Sequence, residues 1–352
     1  MERFFCANAS QCVNEDPIGT AGLVDTYVLL ECPQPWANSA WDSKWIPAPL
    51  KEAVSELQAQ HPRTRCLLIN QEQTRFRRHK SLIIYQRQSI TQGITQSSTP
   101  TSTESNAFVG RFNRYEFTIQ RPEDAIVILQ DFFAKRFSTR FVTRPTQDIL
   151  VCTHGSHDQC CARYGNPFYT QAKCVVRSID GDLQVWRCSH FGGHRFAPTA
   201  ITFPDGRNYA RLDALSLKSI LSRSGAIELI QPIYRGSSLI PVELQVLERS
   251  LLLRFGWDWM KTGISYKMTL LNEANLDAGK LAQIKFQLPD QLLTICQAQI
   301  VPDLDKCVTL RASCTTEKES TYTKYRVQNL TFSSLASIET PEPIHERVPQ
   351  AY

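Results

Sequence analysis

The chain lacks the features that would give the most direct functional readings. No apolar run reaches the ~18 residues that a bilayer span needs, so no membrane-spanning helix is expected. The opening Met1-Glu-Arg-Phe-Phe-Cys-Ala7 has no basic start followed by an apolar stretch, so no secretory leader is expected either. There is no glycine fingerprint for a nucleotide, which assigns any flavin or nicotinamide to a separate protein. No Cys-x-x-Cys pair occurs, which weakens a thiol–disulfide exchange reading. The excess of positive charge is small, 39 Lys and Arg against 34 Asp and Glu, and it is spread out. Without a basic stripe with interleaved aromatics, no nucleic-acid partner is expected. The densest basic run, Arg75 to Lys80, lies between two apolar runs and reads as a solvated turn. A membrane partner is likewise not expected.

Cysteine, by contrast, is abundant. There are 12 cysteines in 352 residues, and without a leader they point to a reducing compartment, hence the cytoplasm. They are also uneven: Cys152, Cys160, Cys161, Cys174 and Cys188 fall in the same stretch as His154, His157, His190 and His194. Two motifs stand out, Cys152-Thr-His-Gly-Ser-His-Asp-Gln-Cys-Cys161 and His190-Phe-Gly-Gly-His-Arg-Phe-Ala197. Soft ligand types gathered this closely argue for a bound metal. The histidine spacing of four would suit a helix face, but Gly192-Gly193 argues for a loop. With no glutamate between the histidines, the zinc-protease motif and its general base are absent.

The patterning predicts an α/β fold. Residues 1–88 read as an amino-terminal α/β block: a strand at 26–31, an amphipathic helix at 49–60, and strands at 66–69 and 82–85 forming a hairpin. Residues 89–106 are polar and Ser/Thr-rich and read as a flexible linker or loop. A block at 107–224 follows with a strand at 114–119, a helix opened by Arg121-Pro-Glu-Asp-Ala125 and a strand at 148–151 that delivers Cys152 to its end. A helix then runs towards Lys173, with a break near Pro167, before a strand at 183–186 leads to His190 and a hairpin spans 200–212. Such an order suits a sandwich of thioredoxin type. Residues 225–352 read as a smaller α+β domain, with a helix over 241–255, several strands and no visible chemistry.

The residues alone leave the chemistry open. Two cysteines at one strand end and two histidines at another make a four-ligand set that structural zinc also accepts. Cys160 and Cys161 are adjacent candidates for one position. Cys32, Cys66, Cys174, Cys188, Cys296, Cys307 and Cys314 read as small buried hydrophobes. Cys6 and Cys12 fall in an expected loop, as ordinary thiols or as a pair for a second metal.

Residues 152–161 and 190–197 together resemble the signature of the sucrase/ferredoxin-like family, as do Asp16-Pro-Ile-Gly-Thr-Ala21, Tyr27-Val-Leu-Leu-Glu31 and Tyr234-Arg-Gly-Ser-Ser238. The resemblance covers about residues 1–240. It implies a thioredoxin-like ferredoxin core, with the first block as a degenerate thioredoxin-like half. It also implies a [2Fe–2S] cluster held by Cys152, Cys161, His190 and His194, with Cys160 as the alternative to Cys161. Cys161 keeps the eight-residue gap from Cys152. His157 falls where the family often has arginine, which suggests a surface or electrostatic role. Around this set, His154 is expected to donate to a cluster sulfur or to stabilise its loop, Asp158 to cap the following helix, and Arg195 to offset cluster charge or form an ion pair. The "sucrase" half of the family name finds no carboxylate pair here.

Two imidazoles in place of two thiolates leave a less negative centre. Rieske clusters, built that way, have potentials of roughly −150 to +300 mV against about −400 mV for all-cysteine plant ferredoxins. The expectation is an electron carrier or redox sensor rather than an enzyme with its own substrate, served by a separate redox partner protein. A zinc-stabilised Cys2His2 binding module and a thiol–disulfide oxidoreductase are the competing readings.

Overall fold

Every residue of the first strand, β1 (Thr26–Glu31), is buried, and its neighbours show why. Tyr27 and Leu29 point into one apolar core and Val28 and Leu30 into another, so this strand has no solvent face. The computed structural model describes residues 3–72, 78–88, 102–136, 146–272, 275, 278–289 and 291–334, with the backbone alone for 102–107. A short helix, α1 (Cys6–Cys12), precedes β1 where a loop was expected. After β1 come α2 (Ala48–Gln60), β2 (Thr64–Asn70), β3 (Lys80–Arg87), β4 (Ser102–Val109), β5 (Phe112–Ile119) and α3 (Asp124–Phe133). The next elements are β6 (Gln147–Cys152), α4 (Gln159–Arg177), β7 (Leu183–Cys188), β8 (Ala200–Thr202), β9 (Arg207–Tyr209) and α5 (Ala214–Ser222). The chain continues through β10 (Tyr234–Ser237), α6 (Val242–Phe255), β11 (Ile264–Leu270), β12 (Lys280–Phe286) and β13 (Thr294–Pro302). It closes with β14 (Val308–Arg311), β15 (Glu319–Tyr322) and β16 (Tyr325–Ser334).

Nine strands form one sheet in the order β10-β9-β8-β6-β7-β2-β1-β3-β5. It is built from two halves of the same plan. In the first, β1 pairs parallel with β2 across the helix α2 and antiparallel with β3, which pairs with β5. In the second, β6 pairs parallel with β7 across α4 and antiparallel with β8, which pairs with β9. A helix crossover is what a parallel pair requires. The halves meet where β2 and β7 run antiparallel. The α/β fold is therefore present, and the first block repeats the layout of the second.

Several details differ from the sequence expectation. The strands expected as a hairpin at 66–69 and 82–85 are not neighbours, because β1 lies between β2 and β3. Residues 102–106 of the expected linker belong to β4, which pairs with β11 in a second sheet, ordered β16-β13-β12-β11-β4; residues 89–101 lie outside the described residues. The expected boundaries at 88, 107 and 224 fall inside shared architecture: both halves contribute to one sheet, β10 extends it, and one apolar core runs from Ile18 through Ile149 to Ile300. Helix α4 continues through Pro167 without a break. At the centre, the buried carboxylate of Asp148 accepts from Trp186 Nε1 at 2.7 Å, from Arg114 Nε at 2.8 Å and from the Tyr85 hydroxyl, tying the two halves together.

Candidate metal centre

Parallel pairing places the ends of β6 and β7 side by side, with Cys152 opposite Cys188. The chain leaves β6 at Cys152, turns through Thr153–His157 and enters α4, whose first turn is capped by Asp158 accepting from the backbone N–H of Cys160 at 2.9 Å. Helix α4 lies so close to the strand end that a Cβ at Gly165 would sit 2.0 Å from the carbonyl oxygen of Cys152. The close approach puts Cys161 beside Cys152. From the end of β7, His190 turns its Nδ1 towards both thiols, 3.6 Å from Cys161 Sγ and 3.8 Å from Cys152 Sγ. These three ligand atoms all lie within 4.8 Å of one another.

Electrostatics favour the ligating form at Cys152 and His190, while Cys161 is held as a thiol that donates to Cys152. Burial works against a Cys152 thiolate. Bonds from the Cys161 thiol and from the backbone N–H groups of His154 and Phe191 outweigh it and hold the Cys152 pKa below its usual value. The Cys161 thiol, which donates to Cys152 and is itself buried, is pushed well up. Burial first, then the neighbouring His157 and His194, lowers the His190 pKa to about 2. His190 is thus a neutral imidazole with a lone pair to offer.

The histidine loop is shaped by its glycines. Gly192 and Gly193 adopt φ of +98° and +81°, where L side chains are strained. A Cβ at Gly193 would also lie 2.5 Å from the guanidinium carbon of Arg235, which donates to the carbonyl oxygen of Gly192 at 3.1 Å. Past this turn His194 lies with its ring centroid 5.1 Å from that of His190. Its Nδ1 faces away from the paired thiols, 3.3 Å from Asp158 Oδ2 and 3.3 Å from Cys6 Sγ. Of the four residues expected as ligands, Cys152, Cys161 and His190 converge, and His194 borders them with Nδ1 turned to Asp158.

The surrounding residues have definite partners. His154 accepts the backbone N–H of His190 at Nδ1, 3.1 Å away, which leaves Nε2–H to donate to the carbonyl of Ala37 at 2.7 Å. Its ring therefore joins the cysteine loop, the histidine loop and the 33–47 connection of the first half, while its backbone N–H donates to Cys152 Sγ. His157 stacks on His190 with centroids 4.0 Å apart. Beside them opens a cleft of about 540 Å³ whose lining includes Arg63, Arg65, His157 and His190. Arg195 forms an ion pair with the buried Glu15, its Nε 2.9 Å from Oε2.

Glu15 carries a pH signature. Burial alone raises its pKa, but Arg195 and Lys324 outweigh it and hold the carboxyl below its usual value of 4.5. A folded-state pKa below the unfolded one gives stability that is complete above the unfolded value and is lost as pH falls through the folded value. Acid titration of the wild type should show this loss beginning near pH 4.5. Glu15→Gln should flatten it and cost about 2 kcal/mol at neutral pH by chemical denaturation. Identical acid profiles would contradict the assignment.

The doublet separates in space. Cys160 points away from Cys161 into a second group with Cys6 and Cys314, both of them outside the expected ligand set. Consecutive helical residues are turned about 100° apart, and that is the signal in the sequence that one centre does not take both. Cys314, expected as core filler, lies in the turn between β14 and β15; Cys12, the other candidate to pair with Cys6, is exposed. Among the described residues no helix is long and apolar enough to cross a membrane.

The model of the sucrase/ferredoxin-like family matches residues 17–236, more than half of the chain, and the chain belongs to that family. No curated protein and no solved structure matches it.

Proposed function

We propose that this member of the sucrase/ferredoxin-like family binds one [2Fe–2S] cluster through Cys152, Cys161, His190 and His194 and serves in one-electron transfer or redox sensing. The convergence of two buried thiols and one neutral imidazole at adjoining strand ends carries this reading. The donor set fits: soft sulfur and imidazole nitrogen suit iron–sulfur centres, and a carboxylate on one ring nitrogen of a histidine orients the other as ligand. For His194 that carboxylate is Asp158, which leaves Nε2 as the ligating atom. The cluster, when bound, supplies the one-electron step.

The chain's own residues hold the proton. His194 keeps it at Nδ1, shared with Asp158 Oδ2, and the buried Asp158 has a pKa held low despite burial by the N–H groups of Cys314 and Cys160 and by His194. With a cluster held through His194 Nε2, its oxidation would acidify this N–H, and Asp158 Oδ2 would receive the proton. His157 and His190, on the arginine-lined cleft, form the solvent-facing side at which a partner protein would exchange electrons. Twelve free thiols support a reducing, cytoplasmic setting.

Potentiometry over roughly pH 6–10 tests the coupling. The potential should fall by up to about 59 mV per pH unit, the value for one proton per electron. A flat potential would refute proton coupling, and His194→Cys should both lower the potential and flatten its slope. Zinc in place of iron in an anaerobically purified, colourless protein would favour the binding-module reading instead.

A further inference from the structure

The second cysteine group has the geometry of a metal site in its own right. Its three sulfurs form a compact triangle: Cys6 to Cys160 is 3.5 Å, Cys6 to Cys314 is 3.5 Å and Cys160 to Cys314 is 3.3 Å. A carboxylate oxygen of Asp158 lies within 4.8 Å of all three. An ion about 2.3 Å from each sulfur, as zinc takes, sets tetrahedral sulfur edges of about 3.8 Å. The observed triangle needs only a slight expansion to admit it.

The environment is also that of a thiolate site. The backbone N–H of Ala7 points at Cys160 Sγ from 3.4 Å, and that of Cys6 at Cys314 Sγ from 3.4 Å. Amide donors aimed at sulfur stabilise the deprotonated, metal-bound form. Cys6, Cys160 and Asp158 are buried, while Cys314 is half-buried and gives an entry path. The donors come from α1, the start of α4 and the β14–β15 turn, three segments far apart in sequence. Cys6 and Cys314 lie outside the residues matched by the family model.

We infer that Cys6, Cys160 and Cys314, with Asp158 as the fourth ligand, form a second metal site that takes one zinc ion. Binding displaces three thiol protons to solvent, so three thiolates and one carboxylate surround the divalent cation. No electron is exchanged. The zinc pins the amino-terminal helix and the carboxy-terminal hairpin onto the capped end of α4. Asp158 then touches both centres, through zinc and through His194. The inference rests on this sulfur triangle and not on what occupies Cys152 and Cys161.

The test uses the full chain, reduced and stripped of metal, titrated with Zn²⁺ and with Co²⁺ as a spectroscopic stand-in. The wild type should take up zinc, and cobalt should give thiolate-to-metal charge-transfer bands. Cys314→Ser, in a half-exposed turn, and Cys6→Ser should each weaken zinc binding by about tenfold or more. Cys12→Ser should not. Cys152→Ser should leave this zinc in place whether the first centre holds iron or not, which separates failure here from failure of the iron–sulfur reading. No zinc uptake by the reduced wild type, uptake unaffected by Cys6→Ser and Cys314→Ser, or a Cys6–Cys160 disulfide found by mass spectrometry in place of bound metal would each overturn the inference.

Discussion

Cys161→Ser is expected to abolish iron binding and the visible spectrum, while Cys160→Ser leaves both in place. The two cysteines are adjacent and equally buried, so the direction of each side chain decides which centre it serves. Cys161 faces Cys152 and His190, whereas Cys160 faces Cys6 and Cys314. Serine keeps the volume and a hydrogen-bonding hydroxyl but removes the soft anionic ligand. The effect at Cys161 should therefore be loss of the cofactor rather than loss of the fold. Iron content and absorbance of anaerobically purified variants decide it. Loss of iron in Cys160→Ser with retention in Cys161→Ser would reverse the ligand assignment, and for Cys160→Ser the loss should appear in zinc instead.

Gly165→Ala should be the most damaging single methyl that can be added near the site. The new Cβ would lie 2.0 Å from the Cys152 carbonyl oxygen and 3.1 Å from its carbonyl carbon, both of them backbone atoms. No side-chain rotation relieves that clash, so α4 must move off the end of β6. Overpacking costs typically about 1–3 kcal/mol where side chains can adjust, and the upper end or more is expected against backbone. The same displacement separates Cys161 from Cys152, so iron retention should drop along with stability. Chemical denaturation and iron analysis of one preparation check both. Wild-type stability with full iron would show that α4 is not tightly seated.

Much of this was legible in the sequence, for identifiable reasons. Short apolar runs such as 66–69 and 149–151 declare buried strands, and a capping Asp158 ahead of a long helix declares its start. Glycines at 192 and 193 announced a loop rather than a helix. Strand order was not legible: periodicity says that β2 and β3 are strands, but nothing local says that β1 lies between them. The polar 102–106 segment lacks the apolar signal of a strand, because its pairing with β11 is a backbone property. The sulfur triangle was hidden by sequence distance. Cys6 and Cys314 look like isolated thiols until α1 and the β14–β15 hairpin fold onto α4.

The His154 contacts show how the duplicated halves serve one site. The first half supplies Ala37, whose carbonyl accepts the His154 proton, and Arg65, which lines the cleft beside His190. The second half supplies the thiols and imidazoles. One half thus acts as a cover for the other, limiting water at the sulfurs while leaving the histidine edge open.

Everything proposed for the first centre depends on Cys152, Cys161, His190 and His194 holding an iron–sulfur pair. The most direct measurement is iron, acid-labile sulfide and zinc content of the anaerobically purified chain, taken together with its visible and low-temperature paramagnetic spectra. A [2Fe–2S] centre on these ligands should give about two irons and two sulfides per chain, with a reduced-state signal shifted towards that of histidine-ligated clusters. A colourless protein with zinc and no sulfide would contradict it.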